Sequence, residues 1–296
     1  MGYAGFMPRR ARLALIGAGS GVTLLIVTWY AAFHVGIVER TDQSILRGFA
    51  GLHRPRVDVV TNFIANLCDP QPYVYFAAVV VLIALVRGRP RVAATAGLIM
   101  LGANVTTQLL KPLLAHPRAD SLLGHATVSA ASWPSGHATA AMSLALCCVI
   151  VAPARRRPYV AALGAAFAVA VSYSFLELEW HYPTDVFGGF LVAASWTLLG
   201  VAALFYLDAR LARRSSAPAG AAEEVTDARR IPIRDALGPP AAVLLATIVL
   251  SGLIVLARPH EVFTYARAHE AFMVGAAAIA ALGLALATGV MLALRR

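Results

Sequence analysis

The chain has 296 residues, of which 59% are hydrophobic and only 14% charged, and its mean hydropathy of +0.71 excludes an ordinary soluble domain. The net charge of +10 would suit nucleic acid, but the basic residues are not gathered on one soluble face with interleaved aromatics. They punctuate apolar runs instead, which describes an all-α polytopic membrane protein with no nucleic-acid partner.

A hydrocarbon core about 30 Å thick needs roughly 20 mostly apolar residues per helical span. Runs of this kind predict membrane helices near 13–35, 72–87, 92–110, 136–153, 159–179, 185–207, 237–257 and 271–294. Arg9, Arg10 and Arg12 precede the first; Arg87, Arg89 and Arg91 lie between the second and third, and Arg155, Arg156 and Arg157 between the fourth and fifth. Further arginines fill the segment after the sixth and end the chain, so every second connection is basic. The positive-inside rule then places both termini and these connections in the cytoplasm. The first external loop also carries Arg40, Arg47, Arg54 and Arg56, but long loops weigh less in that rule. A basic start before an apolar run resembles a signal peptide; its length and the seven runs that follow favour a retained span.

Three segments are expected: a six-span core over 1–208, a cytoplasmic linker over 209–236 and a C-terminal two-span segment over 237–296. The linker is rich in Ala, Ser, Pro and paired charges. Within the core, residues 39–71 carry apolar side chains at helical spacing, which predicts short amphipathic helices on the outer membrane surface. Cys68, Cys147 and Cys148 form no disulfide framework and no metal-binding spacing. The Ala- and Arg-rich composition suggests a GC-rich bacterial genome, and hence a plasma membrane with the external face toward the periplasm.

The unusual polar residues collect in three external connections. In "KPLLAHPRAD", residues 111–120, Lys111 is the sole lysine beside 24 arginines. A lysine point charge and the planar fork of Arg118 are both phosphate ligands; the alternative is a pair of basic residues snorkelling to headgroups. In "WPSGHATAAM", residues 133–142, Ser135 reads as a helix N-cap and Gly136 permits close approach to the backbone. Such a start attracts anions, and His137 can exchange a proton near neutral pH; a plain capped helix with an interfacial histidine is the other reading. In "SYSFLELEWHYPTDV", residues 172–186, Asp185 lies four residues past His181. The carboxylate can orient the imidazole and leave its other nitrogen free as a nucleophile, or the pair can simply cap a helix junction. Two cations, a helix start, one acid-base histidine and one oriented histidine on one side form an inventory for phosphoryl transfer.

At these residues the sequence resembles the type 2 phosphatidic acid phosphatase (PAP2) family of membrane-embedded lipid phosphatases. The family pattern is Lys, six residues, Arg-Pro; then Pro-Ser-Gly-His; then Ser-Arg, five residues, His, three residues, Asp. Lys111 and Arg118 keep the first spacing, with Ala119 in place of proline; Pro134 to His137 complete the second; Ser174, His181 and Asp185 fit the third. The resemblance covers roughly residues 10–207 and implies a six-helix arrangement, leaving two C-terminal membrane helices outside it. It further implies that His181 attacks phosphorus, Asp185 orients it, and His137 protonates the leaving oxygen and then activates water. Lys111, Arg118, Ser135 and Gly136 would bind the non-bridging oxygens of a lipid phosphate or diphosphate. The resemblance implies no cofactor and no metal.

Phe175 stands where the family has arginine. A charge-assisted contact to the phosphoryl group is thereby lost, and Glu177, one turn before His181, would repel phosphate if it points inward. Glu177 and Glu179 diverge on a helix, so one can meet water while the other pairs with an external arginine such as Arg54, Arg56 or Arg40. These departures leave a second function open, a catalytically weak relative that binds or moves anionic lipids. A lipid phosphotransferase is a third. A secondary transporter fits poorly, because no inverted repeat is visible.

Overall fold

The computed structural model describes residues 7–116, 128–214 and 232–295. Among them are eleven α-helices and no strand: α1 (Arg9–His34), α2 (Gly36–Ala50), α3 (Pro55–Asn66), α4 (Pro70–Val86), α5 (Pro90–Leu113), α6 (Gly136–Val151), α7 (Arg157–Glu177), α8 (Pro183–Arg214), α9 (Ile233–Ala257), α10 (Pro259–Ala268) and α11 (Glu270–Ala293). Each of the eight apolar runs forms a helix. Six of these, α1, α5, α7, α8, α9 and α11, are long and apolar enough to cross a membrane. The other two, α4 with 17 residues and α6 with 16, are shorter. Most of the expected linker, residues 215–231, lies outside the described residues.

The short α6 is the axis of the bundle. Thirteen of its sixteen residues are buried, among them Met142, Leu146 and Ile150, and helices α4, α5, α7, α8 and α11 surround it. An apolar driving force between helices is weak in lipid, so close approach and polar contacts hold such a bundle together. Small residues supply the approach: Gly164 of α7 lies against Ala145 of α6, and Gly21 of α1 against Ser195 of α8. Buried hydroxyls supply the contacts. Thr107 meets Thr139 at 3.0 Å across α5 and α6, and Tyr73 of α4 meets both Ser143 of α6 and Asn104 of α5.

The basic connections gather at one end. Arg87 and Arg89 both donate to the carbonyl of Val151 at the end of α6, Arg91 pairs with Asp208, and Arg157 donates to the carbonyl of Leu294. Cations at helix C-termini offset the negative end of the helix dipole.

At the opposite end, α2 does not lie on a membrane surface with its apolar face free, as the pattern predicted. Ile45, Leu46 and Phe49 are buried, and α2 packs against α1, α7, α8 and α11. Gly48 and Gly275 let α2 and α11 touch, with Phe272 over Gly48 and Ile45 over Gly275. Even part of its polar stripe is covered, since Asp42 and Gln43 are buried as well. In α3, by contrast, Val59, Val60 and Phe63 are exposed. The C-terminal helices join the core rather than standing apart: the Tyr173 hydroxyl of α7 donates to the carbonyl of Ala276 of α11 at 2.6 Å.

A methyl group at Gly275 would sit 2.6 Å from Ile45, whereas one at Gly252 of α9 meets nothing within 4 Å. Gly275→Ala is expected to destabilise the purified protein by about 1–3 kcal/mol through overpacking. Gly252→Ala is expected to leave the thermal midpoint unchanged or slightly raised, and a melting scan in detergent compares the two.

Candidate active site

The end of the bundle opposite Arg87, Arg89, Arg91 and Arg157 holds Lys111, the start of α6 and the turn between α7 and α8. Helix α7 ends two residues after Phe175 in a Schellman arrangement: the Trp180 N–H donates to the carbonyl of Phe175 at 3.0 Å and the Glu179 N–H to that of Leu176 at 3.1 Å. The turn requires a left-handed residue, and Glu179 adopts it with φ 58°. The chain reverses there, so His181 returns toward the bundle axis and is buried, while Trp180 stays 38% exposed.

His181 Nδ1 lies 3.2 Å from Asp185 Oδ2, the same oxygen that accepts the Tyr182 N–H at 3.0 Å. Asp185 is fully buried and holds both the turn and the ring. With Nδ1 donating to the carboxylate, Nε2 of His181 carries the free lone pair. Asp42 of α2 completes this junction by accepting from the backbone N–H of Thr184 at 3.1 Å and from its hydroxyl. An acidic residue on the first donors of α8 is a helix cap supplied by another element.

Ser135 caps α6, its hydroxyl accepting the Ala138 N–H at 3.3 Å, and its own N–H donates to the Asp185 carbonyl at 2.9 Å. The two motifs are thus joined main chain to main chain. Gly189 makes this possible, because a Cβ there would meet the Ser135 carbonyl at 2.6 Å and Thr139 N at 2.9 Å. The N–H groups of Gly136 and His137 have no acceptor within their helix, as in any first turn. Lys111 Nζ comes within 3.8 Å of the position a Cβ would take on Gly136, and Gln108 Nε2 within 3.4 Å. Cationic and amide donors from α5 therefore converge on the start of α6.

His137 faces His181 with ring centroids 6.3 Å apart. Its Nε2 lies 2.9 Å from Asp69 Oδ1, at the residue preceding α4. Phe175 is fully buried and packs beside both histidines, with centroids 5.2 Å from His181 and 5.9 Å from His137. Trp180 closes another side at 5.6 Å from His137.

Of the seven residues predicted for the site, His181, His137, Asp185, Lys111, Ser135 and Gly136 come together; Arg118 lies outside the described residues. Among the described side chains, the expected pairing of a glutamate with Arg54 or Arg40 does not occur. Glu177 accepts instead from the Thr61 hydroxyl of α3 at 3.1 Å, and Arg54 donates to the carbonyls of Gly51 and His53. Backbone carbonyls of an exposed turn were available to Arg54, and Thr61 is the donor that α3 carries to the end of α7. Sequence reasoning missed Asp42, Asp69, Gln108 and Gly189. Only Gln108, one turn before Lys111 on one helix face, and the Gly188–Gly189 pair beside Asp185 left a readable trace.

Residues 92–209 match the family model of the PAP2 superfamily. The crystal structure of the first transmembrane PAP2 type phosphatidylglycerolphosphate phosphatase from Bacillus subtilis is 19% identical, covering 63% of this chain and 94% of its own, with a TM-score of 0.48. No curated protein matches the sequence.

A left-handed residue other than glycine costs about 1–2 kcal/mol. Glu179→Gly is therefore expected to raise the thermal midpoint by a few degrees, measured in the same detergent scan.

Proposed function

We propose that the protein is a lipid phosphatase working through a phosphohistidine, a reading supported by the match of residues 92–209 to the PAP2 superfamily model and by helices long and apolar enough to span a membrane. One observation carries this reading: two histidines 6.3 Å apart at an open helix start, one of them with a buried carboxylate on its far nitrogen.

His181 Nε2 attacks phosphorus, the phosphorus–oxygen bond to the lipid breaks, and the departing oxygen takes a proton at His137. A phosphorus about 3 Å from one ring and a leaving oxygen about 3 Å from the other fit this separation. In the free protein Asp69 occupies His137 Nε2, and the leaving oxygen takes the place of that carboxylate. Water, deprotonated by His137, then attacks the phosphohistidine; the phosphorus–nitrogen bond breaks and inorganic phosphate leaves. Lys111, Gln108 and the N–H groups of Gly136 and His137 hold the non-bridging oxygens, with Arg118 as a further ligand. Every group this sequence requires is a side chain or backbone donor of the chain itself.

The site lies at the end of the bundle opposite Arg87, Arg89, Arg91 and Arg157. This supports a chain with both termini in the cytoplasm and the site at the outer leaflet of a bacterial plasma membrane. The substrate is a phosphomonoester or diphosphate of a phospholipid or a polyprenyl lipid.

A second reading rests on Phe175. With an aromatic wall in place of a guanidinium, the site binds anionic headgroups and turns them over slowly or not at all.

Phosphate release by the purified protein from phosphatidic acid, phosphatidylglycerol phosphate and undecaprenyl diphosphate distinguishes the two. Turnover near 1 per second or faster supports the phosphatase and defeats the second reading. His181→Ala is expected to lower the rate at least about 10³-fold and to abolish acid-labile labelling of the protein. His137→Ala should cost about 10²–10⁴-fold. For Asp69→Asn, which affects orientation only, a loss of about tenfold is expected, and a loss as large as that of His137→Ala contradicts the placeholder role.

A further inference from the structure

Outside the histidine site, three chain segments bring metal-binding side chains to one point. His53, in the turn after α2, Asp58 in α3 and Glu177 in the last turn of α7 each offer a ligand atom, and these atoms lie within 4.8 Å of one another. His53 Nδ1 and Asp58 Oδ1 are 3.3 Å apart. That is the spacing of adjacent ligands around one ion, since bonds near 2.1 Å in a tetrahedral set put neighbouring donors about 3.4 Å apart. Glu177 reaches the same spacing by closing no more than about 1.4 Å, within the range of a side-chain rotation.

A second observation concerns the carboxylates. Asp58 Oδ1 and Glu177 Oε1 are both shut off from solvent, and neither accepts a hydrogen bond among the described residues. Asp58 Oδ1 has only the His53 ring nitrogen beside it, at 3.3 Å, and Glu177 Oε1 has no hydrogen-bond partner at all; shielded carboxylate oxygens left in this state are unfavourable, and a cation resolves it. Arg54, in the same turn, donates to the backbone carbonyls of Gly51 and His53 instead. Thr61 meanwhile donates to the other oxygen of Glu177, as an outer partner orients a metal-binding carboxylate.

We propose that His53, Asp58 and Glu177 bind a divalent transition-metal ion of the Zn²⁺ or Mn²⁺ class. One imidazole nitrogen and two carboxylate oxygens suit these ions better than the all-oxygen preference of Ca²⁺ or Mg²⁺. His53 is half exposed, so water fills the remaining positions from that side. The ion ties the α2–α3 turn to the end of α7 and places positive charge two residues beyond Phe175, where the C-terminal carbonyls of α7 already favour a cation. It takes no part in the phosphoryl transfer, so the proposal stands apart from the reading of the histidine site.

Tag-free full-length protein in detergent, stripped with a chelator, is titrated with Zn²⁺ and with Mn²⁺ in a calorimeter. The expected result is one ion per chain, with affinity at least tenfold lower in Asp58→Asn and in Glu177→Gln. The thermal midpoint should rise with added ion in the wild type and in neither variant. His53→Ala, at an exposed position, carries the same expectation if the carboxylate variants misfold. Absence of stoichiometric binding by the wild type, or undiminished affinity in His53→Ala, overturns the proposal.

Discussion

The hydrogen bond from the Ser135 N–H to the Asp185 carbonyl, 2.9 Å long, fixes two helix starts side by side, and the geometry of the site follows from it. Two parallel N-termini bring together two sets of unpaired donors and two positive dipole ends, an arrangement that repels itself unless negative charge is supplied. At the start of α8 that charge is built in, because Asp42 takes the Thr184 donors and Asp185 takes the Tyr182 N–H. At the start of α6 only the neutral Ser135 hydroxyl is provided. One helix start is saturated and its neighbour is left wanting an anion. The two histidines and Lys111 stand around the unsaturated one.

Phe175 reads differently once the neighbours are known. A side chain at this position is fully buried against two imidazoles, so an arginine here would have to displace the ring contacts that now pack His137 and His181. The aromatic wall exchanges a cation for rigidity and dryness. Low local dielectric strengthens whatever charges remain, which makes Lys111 count for more than it would in an open site. Glu177, two residues on, is turned away to α3 by Thr61, and this removes the repulsion its position suggested.

Much of this was legible in the sequence, for a definite reason. Lipid imposes apolar runs of fixed length and punctuates them with arginine, so all eight helices could be read directly. Motif spacing likewise reported His137, His181, Asp185 and Lys111, because i,i+4 and helix-start geometry are local properties of the chain. What stayed hidden was what other elements contribute. Asp69 reaches His137 across 68 positions and Asp42 reaches Thr184 across 142, and no periodicity encodes such pairings. The burial of α2 was missed for the same reason: an amphipathic stripe reports that one face is covered, not whether lipid or α11 covers it.

Those long-range contacts also tie the histidine site to chain outside residues 92–209, the stretch that matches the family model. Asp42, Thr61 and Asp69 all precede residue 92, yet they cap α8, turn Glu177 aside and orient His137. Their elements need support, since the apolar face of α2, with Phe49 at its end, has to be covered. Helix α11 provides it, with Phe272 edge-on to Phe49 at 4.8 Å and Gly275 beneath Ile45. Tyr265 of α10 adds a hydroxyl bond to the carbonyl of Gly48. The C-terminal helices hold the α2–α3 segment against the bundle, and that segment supplies Asp42. Helix α11 thereby bears on the position of Asp42, and Asp42 in turn, through Thr184, on the start of α8 beside the His181 turn.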